Sequence, residues 1–250
     1  IQVKSAKTES LPGGMGLLRV AAFQNDTVRS SEEGLRKLQR NKALNGLVLD
    51  LRSNPGGFVT SAVGLADLFL EQGTIVSTKG RQPSANTEMK ATPGDILNGA
   101  PMVVLIDAGS ASAAEIVAGA LQEQHRAIIV GQKSFGKGSV QSLLPLSNGD
   151  GLRLTTARYF TPSGNSIQAR GILPDVPLDS LSLSRMELGP RPVAESDLAG
   201  HLHQMPLQIP VAGEDATPAI QSDYALSEAV NILRAVAFER ARAIKLQGEP

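Results

Sequence analysis

The first 130 residues alternate short apolar runs with stretches of helical spacing, and that alternation narrows the fold more than any other feature. Gly16 to Phe23 (GLLRVAAF) has the length and apolarity of a strand, and Ser30-x-x-Glu33 then reads as a capping box for a helix through about Ala43. Gly46 to Leu51 (GLVLDL) reads as a second strand. It ends in the turn-forming cluster Arg52-Ser53-Asn54-Pro55-Gly56-Gly57, before Thr60 to Glu71 returns to helical spacing. Thr74 to Lys79, Met102 to Asp107 and Ala127 to Val130 are expected as strands, residues 80 to 100 as a polar loop, and Ser110 to about Gln124 as a helix. This succession predicts an α/β layer architecture around a largely parallel sheet. Ser139 to Leu146 and Leu152 to Phe160, flanking Ser147-Asn148-Gly149-Asp150-Gly151, add an antiparallel β-hairpin.

Past Leu178 the composition turns to Ser, Pro and mixed polar residues until Tyr224 to Ile244, which has the spacing of an amphipathic helix. Residues 1–178 are therefore expected to form the core, and 179–250 a linker and helical appendage. The chain of 250 residues is long enough to bury a substantial core. Its 24 basic and 24 acidic residues cancel, which gives no electrostatic case for nucleic acid. The absence of cysteine excludes disulfides, thiolate metal sites and cysteine nucleophiles. No apolar run approaches the ~20 residues of a membrane span, and Ile1-Gln2-Val3-Lys4 has no signal-peptide pattern, so an internal fragment of a longer precursor is expected.

The stretch VGQKSFGKGSVQ, residues 130 to 141, places Gly131, Gly136 and Lys137 at the spacing of a phosphate-binding loop. That chemistry needs a Ser or Thr after the lysine and a helix N-terminus beyond it, yet Gly138 follows, and then a segment of β character containing Pro145. Lys137 has a different use if backbone and apolar walls surround it, because burial favours the neutral amine and makes it a general base. On an extended chain Lys137, Ser139 and Gln141 share a face, so the Gln141 amide would accept a hydrogen bond from the amine. The competing reading is a surface loop lysine between flexible glycines.

A base needs a nucleophile, and DAGSASAAEIVAG offers Ser112 at the start of a helix after a buried strand. Serine there is often only an N-cap, but Ser110 is better placed for that role. Small neighbours leave Ser112 open to a polypeptide carbonyl, and the helix start would supply N–H groups where an oxyanion forms. Gly56 and Gly57 either aim an N–H into the same edge of the sheet or simply make a strand-to-helix turn. Glu115, one turn after Ser112, either orients groups in the site or complements the helix dipole. His201 and His203 lack a third metal ligand at a recognisable spacing, and His125 lies about 20 Å along the helix from Ser112.

Taken together, LVLDLRSNPGG, GSASAAEIVAGAL, VGQKSFGKGSVQ and FTPSGNSIQARGILPDV closely resemble the carboxyl-terminal processing peptidases, or tail-specific proteases, in order over about residues 16 to 178. The resemblance implies a ClpP/crotonase-like α/β core and a Ser–Lys dyad with Ser112 as nucleophile, Lys137 as base and Gln141 supporting the lysine. It assigns the oxyanion donors to the backbone N–H groups of Gly57 and Ala113. It implies no cofactor, and as partners polypeptide substrates with exposed, apolar C-termini, further copies of the chain in a homo-oligomer, and in some relatives a lipoprotein adaptor. The implied location is the periplasm or another extracytoplasmic compartment. This chain departs from the family in having Ala114 where serine is common, and in lacking a recognisable PDZ domain ahead of the core. Two further readings are a non-catalytic oligomeric scaffold and a crotonase-type acyl-CoA enzyme, though the latter has no need of the Ser–Lys–Gln set.

Overall fold

A computed structural model describes residues 4–179, 181 and 222–247. Strands β1 (Ala6–Leu11), β2 (Met15–Val20), β3 (Gly46–Asp50), β6 (Met102–Ile106), β7 (Ile128–Gly131) and β10 (Val176–Pro177) form one sheet in the order β1-β2-β3-β6-β7-β10. All neighbours in it run parallel except the β1–β2 pair. Every residue of β3 and β6 is buried, as expected of a parallel sheet covered on both faces. The period of two decides which residue faces which layer. Leu47 and Leu49 join the core under α1 (Thr27–Leu38), α2 (Val59–Asp67) and α3 (Ala113–Glu123), whereas Val48 between them joins a second core on the opposite face.

That opposite face is covered by the C-terminal helix α4 (Tyr224–Gln247). Leu226, Ala229, Val230 and Leu233 recur at the spacing of one helical stripe and bury themselves against Leu17, Val48, Val103, Leu105 and Val130. Each fully buried Leu or Val contributes roughly 1.5–3 kcal/mol, so the stripe alone gives α4 a substantial reason to stay docked. A second, fully antiparallel sheet has the order β5-β4-β9-β8, from β4 (Thr74–Gly80), β5 (Thr87–Lys90), β8 (Ser139–Pro145) and β9 (Gly151–Phe160). Its β8–β9 ribbon is the hairpin expected from the sequence.

The α/β architecture with a mixed sheet agrees with the sequence, but two local expectations fail and one strand is missed. Helix α1 begins at Thr27, with Asp26 in the N-cap position, so Ser30 lies inside the helix and does not cap it. The turn is set earlier, by the Gln24 N–H donating to Thr27 Oγ1 at 2.8 Å. The polar stretch 80–100 contains β5, whose alternating polar residues hide its pairing with β4. Strand β1, the missed one, is also short of apolar residues, since it borders the sheet and among the described residues pairs only with β2. Most of the expected linker, and the His201 and His203 pair within it, lie outside the described residues.

Candidate active site

Three chain segments meet beyond the carboxyl ends of the neighbouring strands β3, β6 and β7, the edge where ligand sites of α/β sheets collect. The first is the turn from Arg52 to Gly57. Asn54 is completely buried; its Nδ2 donates to the Val20 carbonyl at 2.8 Å and its Oδ1 accepts the Gly56 N–H at 2.9 Å. Gly57 pairs with Phe23 in an isolated parallel bridge, with φ +140°, and a Cβ there would collide with the Phe23 carbonyl oxygen. Glycine is therefore required at 57 by a close backbone approach, a stronger condition than turn propensity.

The second segment, Asp107 to Ser112, is laced to the first. Asp107 Oδ1 accepts the N–H groups of Ser53 at 2.8 Å and Gly109 at 2.9 Å, and the Ala111 N–H donates to the Asn54 carbonyl at 2.9 Å. Ser110 does not cap α3 as expected. Its fully buried Oγ donates to the Leu51 carbonyl at 2.8 Å and accepts the Asp107 N–H at 3.0 Å, which occupies it inside the turn. Ser112 takes the N-cap position instead, half-buried, with φ 56° and ψ −112°. A side-chain-bearing residue in such a conformation costs about 1–3 kcal/mol and persists only where its surroundings over-determine it. A serine on a strained strand-to-helix turn is also how nucleophile elbows expose a hydroxyl.

Glu115 supplies part of that over-determination. The residue is completely buried on α3 and accepts four donors: the Ser112 N–H (2.7 Å) and the Lys137 N–H (2.8 Å) at Oε2, and the Gly136 N–H (2.6 Å) and the Ser134 hydroxyl (2.6 Å) at Oε1. Of the two readings of Glu115, orientation of neighbouring groups is the one these bonds describe. The segment carrying Lys137 is thereby drawn against the Ser112 turn. Around Ser112, neither the Gly57 N–H nor the Ala113 N–H is hydrogen-bonded among the described residues. A Cβ on Gly56 would lie 2.9 Å from Ser112 Cβ and 3.0 Å from the Ala113 nitrogen, so the two turns are in contact at the serine.

Lys137 departs from the expected surroundings: its side chain is exposed, and among the described residues it makes no hydrogen bond or ion pair. The glycines on either side explain why. Gly136 (φ +91°) and Gly138 leave room for residues 167–171, which pass so close that a Cβ on Gly138 would collide with the Gln168 nitrogen. The backbone is thus held on two sides by Glu115 and by this loop, while the side chain is left facing outward. Gln141 is exposed on β8, where the pairing with β9 shifts register by one β9 residue. His125 is exposed, and no grouping of His, Asp and Glu among the described residues is arranged to hold a metal ion.

The signature of peptidase family S41 matches residues 14–178, which include all three segments. The chain belongs to peptidase family S41. A carboxy-terminal-processing protease of Bartonella bacilliformis is 44% identical over 205 residues, covering 81% of this S41 chain and 47% of that protein. A carboxyl-terminal-processing protease of Synechocystis sp. is 40% identical over 181 residues, or 72% of this chain and 42% of that protein. Among solved structures, a photosystem II D1 C-terminal processing protease matches with 33% identity and a TM-score of 0.65, covering 72% of this chain and 49% of that one. All three of these relatives are proteases of carboxyl-terminal processing, and the S41 chain spans about half of their length.

The supports of the S41 site that sequence reasoning missed are Asn54, Asp107, Ser134 and Gln168. Each acts by a side-chain bond to backbone at a distance in sequence, as in the 3.1 Å bond from the Gly138 N–H to Gln168 Oε1. No periodicity or motif spacing registers such a bond. The signal that existed was the density of Asn, Asp, Ser and Gly in all of these turns.

Proposed function

We propose that this chain is the catalytic part of a serine endopeptidase that cleaves polypeptides near flexible, apolar carboxyl termini. The observation that carries the reading is the strained backbone of Ser112 beside two unpaired N–H groups, with the Lys137 segment tied to the same carboxylate. In the proposed reaction the Lys137 amine takes the Ser112 proton as Oγ attacks the scissile carbonyl, and the Gly57 and Ala113 N–H groups stabilise the tetrahedral oxyanion. Lys137 then protonates the leaving amine, and water hydrolyses the acyl-enzyme. Gln141 supports the lysine in this scheme.

A lysine serves as base when water is kept from it. Since Lys137 is exposed here, the bound polypeptide is assigned the task of covering it. Phe58, directly after Gly57, and Phe135, whose N–H donates to the Ser110 carbonyl, are both exposed, which suits apolar substrate side chains at this edge. The family reading extends to an extracytoplasmic location, self-association and, as in some relatives, a lipoprotein adaptor.

A non-catalytic scaffold is favoured by one observation, the exposed Lys137 without a bond to Ser112. Incubation with an unstructured reporter ending in apolar residues separates the two. Cleavage by the parent that disappears in Ser112→Ala and Lys137→Ala supports the dyad; variants that cleave as fast as the parent overturn it.

A further inference from the structure

Ser134 is a buried polar side chain to which neither the sequence motifs nor the proposed reaction gives a role. It is 4% exposed, and its Oγ lies 2.6 Å from Glu115 Oε1 and 2.6 Å from the Ile172 nitrogen. The Ile172 N–H can only donate, so Oγ accepts there and its one hydrogen is left for the carboxylate. The backbone repeats the connection, with the Ser134 N–H donating to the Ile172 carbonyl at 3.1 Å. One side chain thus joins the carboxylate inside α3 to the loop on the far side of the lysine segment.

That loop is itself fitted closely. The Ala169 N–H donates to the Gly136 carbonyl at 2.9 Å, Ala169 has φ 61°, and a Cβ on Gly171 would lie 2.6 Å from the Ser134 carbonyl oxygen. The lysine segment is held between two walls, and Ser134 bonds to both. Its hydrogen bond also fixes which oxygen of Glu115 faces which donors. With Oε1 occupied by Ser134 and Gly136, Oε2 is turned to the N–H groups of Ser112 and Lys137 together.

We propose that Ser134 is a positioning residue of the peptidase site: it orients the Glu115 carboxylate so that one oxygen sets the nucleophile's turn against the base's loop. The assignment rests on the reading of Ser112 and Lys137 as nucleophile and base. Loss of the hydroxyl in Ser134→Ala frees the carboxylate to rotate and shifts the two backbones apart. Displacements near 1 Å at reacting groups cost up to about 100-fold, so a fall in kcat of about 10- to 100-fold is expected, with KM within about twofold. Ser134→Thr keeps the hydroxyl and is expected to restore kcat to within about threefold of the parent.

The test pairs these kinetics with amide hydrogen exchange, which needs no activity. In Ser134→Ala the amides of Ser112, Gly136 and Lys137 are expected to exchange faster, while those of β6 stay unchanged. If the variant lowers the melting temperature but keeps the parental kcat, or leaves exchange at Gly136 and Lys137 unaltered, Ser134 is only a packing residue and the proposal fails. If the parent does not cleave the reporter at all, the peptidase reading fails first. The exchange at Gly136 and Lys137 then still decides whether Ser134 holds the clamp.

Discussion

The backbone N–H groups of Ser112 and Lys137 converge on the same atom, Oε2 of Glu115, at 2.7 and 2.8 Å. A residue on the inner face of α3 therefore fixes the separation of two segments that the sequence keeps apart. Glu115→Gln preserves the shape but points an NH2 group at N–H donors. It is expected to lower kcat by about 100-fold and to destabilise the fold by about 2–4 kcal/mol, because a buried donor is left without its acceptor. Steady-state kinetics with a denaturant melt checks both; a variant that retains parental kcat shows that the carboxylate does not set the geometry.

Gly57 admits no side chain, since a Cβ would collide with the Phe23 carbonyl oxygen and φ is +140°. Gly57→Ala is expected to push the turn away from Ser112 and to cost about 100-fold or more in kcat, the scale of losing one oxyanion donor. Turnover of the reporter measures it. Parental activity in this variant would place the oxyanion elsewhere.

Asp223, just ahead of α4, accepts two hydrogen bonds from Arg52 at 2.8 and 2.7 Å and also the Leu226 N–H at 3.0 Å. Burial alone would raise its pKa, but the bonds from Arg52 and Leu226 and the charges of Arg52 and Arg19 together outweigh it and hold the carboxyl below its ordinary value of 3.8. A depressed folded-state pKa gives stability that is present above the unfolded value and lost as pH falls through the folded one. Docking of α4 is therefore expected to be unchanged down to about pH 5 and to weaken below the ordinary carboxyl range. Asp223→Asn removes that part of the acid sensitivity, at a cost of about 1 kcal/mol near neutrality because Arg52 keeps Asp50. Melting curves from pH 7 to pH 3 distinguish the two proteins; identical acid profiles would contradict the assignment.

Leu233 is fully buried between α4 and the sheet, within reach of the open side of Gly46. Leu233→Ala is expected to destabilise by about 2–5 kcal/mol. A chemical denaturation midpoint at the parental value would mean that α4 is an ornament to the core.

Much of the sheet was legible because its central strands are apolar throughout, as in GLVLD and MVVLI, and each ends in residues that turn the chain. Strands β1 and β5 were not, since their pairing leaves most side chains exposed and polar. At the candidate site, motif spacing singles out Ser112 and Lys137, whose backbones meet on one carboxylate, but the lysine is exposed where backbone and apolar walls are expected around it. Flanking glycines suggested a dry pocket, whereas they serve the close passage of residues 167–171. Exposure is decided by which segments cross a loop, and those segments come from elsewhere in the chain. The strained ψ of Ser112 and the four donors around Glu115 belong to the same class of information.

The bond between Arg52 and Asp223 also joins two moments in the making of the protein. Arg52 leaves the ribosome 171 positions before its partner, directly ahead of the turn that carries Gly56 and Gly57. Until α4 emerges, Val48, Val103 and Leu105 lack the helical stripe that packs on them, and Arg52 has Asp50 as its acid partner but lacks Asp223. The residue directly ahead of the turn with Gly56 and Gly57 thus acquires its second acid partner only after 171 further positions have been translated, long after the strands on either side of that turn.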